Sequence, residues 1–531
     1  MNSVVRLEEL TLKLDDQESL LLDKIAIALQ LDKSEIVSYS IVKKNLDARH
    51  SRNILVVYSA DVILKDLKLL SFFDIRHRAR IYEPYVYTEK TLKKVPKNNV
   101  VIVGAGPCGL FTALILAKAG LKPILIERGQ DVDSRVKTVD NFANNGVLNT
   151  ESNIQFGEGG AGTFSDGKLY TLINDPRSKY IFETLVRNGA PEEILISGTP
   201  HIGTDKLRKV VKSFRNELIN LGVDIRFNCF LKSINTTNGK INSIITGDGE
   251  TIAVSDLILA TGHSARDTYE MLHESGLKMS PKPLAIGLRI EHSAQMIKEA
   301  QYGVSSNHKK LGAAKYKLVQ HTTTNRSVYT FCMCPGGYVV PAASELETVV
   351  VNGMSKYLQN GTNSNSALLV PVTPADFGSD HPLAGIEFLR RFEKQAFKIG
   401  GENYYAPAQL VGDFLNKRNS TKSASILASY NPGVKFTKLD SCLPDYVIES
   451  IREAIPLLDK KLSGFANPEA VLTGVETRSS SPVRIERSDD FQSNILGIYP
   501  AGEGSGYAGG MVSSALDGIK VAEAIVDKYQ K

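Results

Sequence analysis

The chemistry this chain can carry is concentrated in a few short phrases. The first is Gly104-Ala105-Gly106-Pro107-Cys108-Gly109, set between the apolar run Val100–Val103 and a second apolar run. A G-x-G-x-x-G phrase between a strand and a helix holds the pyrophosphate of a dinucleotide. Gly104 permits the tight turn, and Gly106 lets backbone N–H groups approach the phosphates. Gly109 lets the helix pack on the strand with its N-terminal dipole aimed at the ligand. Pro107 belongs to the same expected site. The next apolar stretch, Pro123–Ile126, ends in Glu127, with Arg128 behind it. A carboxylate at that point accepts hydrogen bonds from a ribose diol and disfavours a 2′-phosphate.

Other phrases are candidates for catalysis. Cys332-Met333-Cys334 would place two thiols on one face of a strand, with Phe331 and Met333 on the other. A thiol pair beside a redox cofactor exchanges electrons as a disulfide; simple packing of buried cysteine is the alternative. His263 is a candidate acid or base, or a hydrogen-bonded loop histidine. Arg478, Ser480, Ser481 and Arg484 are suited to an anionic substrate, or to structural ion pairing. The nine histidines include no H-x-x-x-H pair and the cysteines no C-x-x-C pair, so no metal is expected.

These residues need elements to position them. The 531 residues suggest three or four domains. Residues 1–88 read as a small α+β unit: strands at Val5–Leu14, Ile36–Lys44 and Asn53–Ile63, a helix at Glu18–Leu31, and a basic turn over Lys43–Arg49. Residues 89–99 read as a linker. Residues 100–274 form the first part of a dinucleotide-binding domain, with a helix from Thr204, capped by that residue, to Gly222. Residues 275–465 form a strand-rich substrate or lid domain, with a polar, low-order patch at Gly361–Ser366. Residues 466–531 return to strand, glycine turn and helix. The fold class is α/β with α+β inserts, built on a Rossmann-type sheet. Val100–Ala117 carries no charge, the lower edge of a membrane span, but its glycines and proline argue for strand, turn and buried helix.

The late phrase Pro500-Ala501-Gly502-Glu503-Gly504 leads into a glycine-rich turn and a helix. With Ile258-Leu259-Ala260-Thr261-Gly262 it resembles the segments that complete the FAD site in glutathione-reductase-type flavoproteins. More closely, the chain resembles a bacterial FAD-dependent dehydrogenase family, the NAD(FAD)-utilising dehydrogenases. Phe156–Leu169, Ala260–Asp267, Phe331–Tyr338, Thr477–Arg484 and Pro500–Gly510 carry that likeness, together with Ser40–Lys44 and Leu46–Arg49. The resemblance implies non-covalent FAD but no particular substrate. It places Gly159, Gly160, Gly162 and Thr163 against the cofactor, and Arg135 within reach of the pyrophosphate. Ala260, Thr261 and Gly262 form the matching strand end. Gly502, Glu503, Gly509, Gly510 and Met511 lie at the flavin end, with Glu503 where that group usually has Asp. No separate NAD(P) domain of the usual kind is expected, so NAD(P)H would serve only as a transient donor.

Composition bounds the function. A net charge of +5 gives no argument for nucleic acid or a membrane. Five cysteines at wide spacing fit a reducing compartment, and an acidic N-terminus without an apolar run fits a cytoplasmic protein. With no tryptophan, the chain lacks the tryptophan-containing signature of flavin halogenases. The expectation is a flavin-dependent oxidoreductase acting on a small molecule. The alternatives are a flavoprotein that binds RNA through residues 1–88, and a protein with structural FAD. The sequence does not determine an oligomeric state.

Overall fold

The computed structural model describes residues 4–68, 79–171 and 173–530. Residues 1–3 and 69–78 of the N-terminal unit, and Lys531 at the end of the last segment, lie outside the described residues. The centre is a parallel sheet ordered Asp224–Arg226, Ile124–Ile126, Asn99–Val103, Thr251–Leu259 and Ile498–Pro500. Its central segments Val100–Val103, Ile124–Ile126 and Leu257–Leu259 are apolar throughout because both faces are covered. Val100 and Ile102 face one core with Leu125 and Ile258; Val101 and Val103 face a second with Ile124, Ile126, Leu257 and Leu259. Period-two alternation thus splits a single apolar run between two layers.

Helix Pro107–Lys118 is buried at every position from Cys108 to Ala117. It packs between the sheet and helices Thr204–Asn220 and Met511–Lys528. Burial on all sides explains the uncharged run, and among the described residues no helix is long and apolar enough to cross a membrane. Helix Thr204–Asn220 follows Gly203, and Thr204 caps nothing: its hydroxyl donates to the Thr163 carbonyl at 2.8 Å.

A second, seven-stranded sheet is ordered Val319–His321, Ser327–Cys334, Asn363–Val372, Leu284–Ser293, Val471–Glu476, Ala406–Leu410 and Val434–Phe436. It continues beyond residue 465. The patch expected to be poorly ordered is instead largely central strand. Asn365 and Ser366 are fully buried, and polar partners replace water: Asn365 accepts from Arg289 at 2.6 Å, Asn363 donates to Glu291 at 3.0 Å, and Ser366 bonds Tyr316 at 3.0 Å.

The N-terminal unit is a four-stranded sheet ordered Ile36–Asp47, Leu55–Leu64, Val4–Lys13 and Ala79–Tyr82, backed by helix Leu21–Leu29. Lys43–Asp47 is strand, not turn. It pairs with Leu55–Ser59, and Lys44 also bridges to Ser197, tying the unit to the central domain.

Candidate active site

Where the parallel strands end, a cleft opens. Carboxyl-terminal strand ends are the usual ligand position of such sheets. Its walls include Gly104, Gly106, Pro107, Glu127, Arg128, Gly160, Gly162, Ala260, Thr261, Gly262, Glu503 and Met511. His263 also lines it. Gly104 turns with φ +106°, and a Cβ there would overlap the Ala260 carbonyl. Gly109 lies off the cleft, where a side chain would collide with the Gly104 carbonyl, so it sets the helix against the turn. Gly159, Thr163, Gly502, Gly509 and Gly510 are not in the wall either. Thr163 is buried and its hydroxyl donates to the Glu158 carbonyl at 3.2 Å.

Glu127 does more than wait for a ribose. Its Oε2 accepts from Ala105 N–H at 2.8 Å; its Oε1 accepts from Gly129 and Gly157 N–H, each at 2.9 Å. The carboxylate locks both glycine loops together and uses three of about four acceptor sites. The remaining site is on Oε2. Arg128 lies 4.6 Å from the Phe156 ring and 5.8 Å from that of Phe230, and pairs with Asp267 at 2.6 Å. Gln155, Phe156, Phe230 and Thr268 also line the cleft. Sequence reasoning did not place them in the site: Phe156 opens a phrase that carries the family likeness, and no short motif marks the other three. It also missed Asp517, which holds the late turn by accepting from Gly502 N–H at 2.7 Å while pairing with Arg487.

Arg135 is not a phosphate ligand. It is fully buried off the cleft, and its guanidinium donates to the carbonyls of Asn153, Ile154, Glu158 and Gly160 at 2.6–3.0 Å. With its donors committed to the backbone, it fixes the course of the glycine-rich loop. Arg478 is likewise unavailable to a substrate. It shares the buried Glu393 carboxylate with Arg266 and also donates to Ser344. Ser481 is buried in the turn, donating to the Val483 and Gly504 carbonyls. Ser480 and Arg484 lie outside the cleft wall, and Arg484 is exposed beside the Tyr507 ring. Burial, with Arg478 and Arg266 nearby, lowers His263 to about 4. It is therefore a neutral imidazole at pH 7 and not an acid by charge. Burial pushes the Glu503 carboxyl up to about 7, with Lys282 opposing.

The thiol pair does not sit on a regular strand. Phe331 faces Ala367, but Cys334 faces Asn365, so one extra residue bulges out between them. Cys332 takes φ +44°.

The residues fit FAD. Side chains at Gly106 and Gly262 would meet only open space or a distant backbone atom, so the cleft floor is kept bare for a ligand. A carboxylate with one free acceptor site stands at one end. Residues 97–140 match an FAD-binding domain, residues 283–479 match the C-terminal domain of FAD-dependent proteins, and residues 5–63 match a domain of unknown function. An uncharacterized protein of Clostridium beijerinckii is 47% identical over 536 residues, covering 99% of both chains. The chain belongs to this family of FAD-dependent proteins. Solved structures remotely similar to this FAD-dependent protein include the flavin-dependent brominase Bmp2, at 12% identity and a TM-score of 0.38, covering 81% of this chain and 79% of that one. L-amino acid deaminase from Proteus vulgaris shows 13% identity and a TM-score of 0.32, covering 83% and 96%.

Proposed function

We propose that this FAD-dependent protein is an oxidoreductase acting on a small molecule. The observation that carries the reading is one continuous cleft from Glu127 to Glu503 and His263, with the glycine turn at its floor. Bound FAD would supply two-electron chemistry, which protein side chains lack. The chain's own residues do the rest. Backbone N–H groups at the start of helix Pro107–Lys118 cradle the pyrophosphate. Oε2 of Glu127 accepts a ribose hydroxyl. Glu503, with its carboxyl near 7, holds or releases a proton at neutral pH. The buried surroundings of His263 keep it neutral, as a hydrogen-bond donor or acceptor.

NAD(P)H is the proposed transient donor. The test is an anaerobic visible spectrum of the purified protein during addition of NADPH, then NADH. Bound oxidised flavin that bleaches on addition supports both statements. Flavin that stays oxidised with both removes NAD(P)H as donor. Protein that carries no flavin and takes up none overturns the reading.

A further inference from the structure

We propose that Cys332 and Cys334 form a dithiol–disulfide couple that exchanges an electron pair with the flavin of the adjoining cleft. This rests on the flavin reading above. The first support is backbone geometry. The bulge between Phe331 and Cys334 takes the strand out of register where the cysteines lie. A non-glycine residue at φ +44° is uncommon, and bulges beside functional sites re-aim side chains. Here the Cys334 thiol donates to the Cys332 carbonyl oxygen at 3.2 Å.

The second support is what surrounds them. Lys168 Nζ lies 3.9 Å from Cys334 Sγ and 3.3 Å from Asp166. The fully buried Arg289 donates to the Cys332 carbonyl at 3.3 Å while paired with Glu476 at 2.6 Å. Asp166 and Lys168 belong to the same glycine-rich loop whose Phe156, Gly157, Gly160, Ala161 and Gly162 line the cleft. One loop therefore touches both the cofactor space and the thiols. The neighbouring Cys334 thiol, then Lys168 and Arg289, hold Cys332 well below the usual thiol range. The neighbouring Cys332 and burial push Cys334 up. In the proposed couple Cys332 reacts as the thiolate and Cys334 carries the proton.

The electron count closes. The Cys334 S–H bond breaks and one S–S bond forms. Two electrons and that proton pass to oxidised flavin, which becomes the anionic reduced form. The reverse step returns them.

The test uses the full chain with FAD under anaerobic conditions. Dithionite titration of the oxidised protein is expected to consume four electron equivalents per flavin, two for the flavin and two for the couple. Cys332→Ser and Cys334→Ser should each consume two, with flavin content unchanged as the check on folding. Alkylation of the denatured oxidised wild type, followed by peptide mass analysis, should find Cys332 and Cys334 blocked as a disulfide and both alkylated after reduction. Two equivalents in the wild type, or full alkylation of both cysteines in the oxidised protein, would overturn the proposal. Absence of flavin is read from the spectrum alone and fails the oxidoreductase reading. A flavin-bearing protein with unreactive thiols fails only this one.

Discussion

Glu127→Gln isolates what the carboxylate does for the cofactor. The wild-type side chain accepts three backbone N–H groups and has one acceptor site left, on Oε2 beside Ala105. An amide with its oxygen toward Gly129 and Gly157 keeps two of those bonds. It then turns an NH2 toward Ala105 N–H and toward the ribose. Donor meets donor at both places. A hydrogen bond to a charged group is worth about 1.5–3 kcal/mol, and each 1.4 kcal/mol is tenfold in an equilibrium constant. The ribose bond exists only in the complex, so its loss weakens FAD binding by roughly 10- to 100-fold. The lost Ala105 bond weakens the unliganded fold instead. The opposite amide orientation spares the ribose contact but sets NH2 against two N–H groups, and the loss shifts to stability. The assay is FAD titration of the deflavinated protein by fluorescence quenching, with urea unfolding of the same samples. A variant that binds FAD within about twofold of wild type and unfolds at the same urea concentration would refute the clamp.

Two further outcomes follow from the packing. Burial opposes the charge on Glu393, but Arg266 and Arg478 prevail and hold its carboxyl well below the usual range. That stability is present above the unfolded carboxyl pKa of about 4.3 and is lost as pH falls below it. Glu393→Gln should cost about 3–5 kcal/mol in urea unfolding at pH 7 and progressively less below pH 4; an equal midpoint at pH 7 argues against it. Gly104→Ala puts a methyl into the Ala260 carbonyl at a left-handed φ, and should leave protein that purifies without flavin. Full flavin content in that variant would show that the turn tolerates the clash.

Local pattern was enough to place the dinucleotide strand, the glycine turn, Glu127 and the late turn. Glycine fingerprints are short-range devices: a tight turn and a close approach must be written into adjacent residues. The β-α-β-β order over Val4–Leu64 was legible for the same reason, through period-two and helical spacing; the edge strand Ala79–Tyr82 was not read from it. What the sequence could not show were the partners of charged and polar side chains. Arg135 and Arg478 look like ligands for an anion until tertiary contacts commit one to four carbonyls and the other to Glu393. The Gly361–Ser366 stretch looks like a loop until Arg289, Glu291 and Tyr316 arrive from elsewhere and make its polar residues buriable. The bulge at Cys332 depends on register against a neighbouring strand, and Lys168 reaches that pair from 166 residues away. Glycine geometry is local and can be read in a line; the charge state and freedom of an arginine, a histidine or a thiol depend on what folding brings against it.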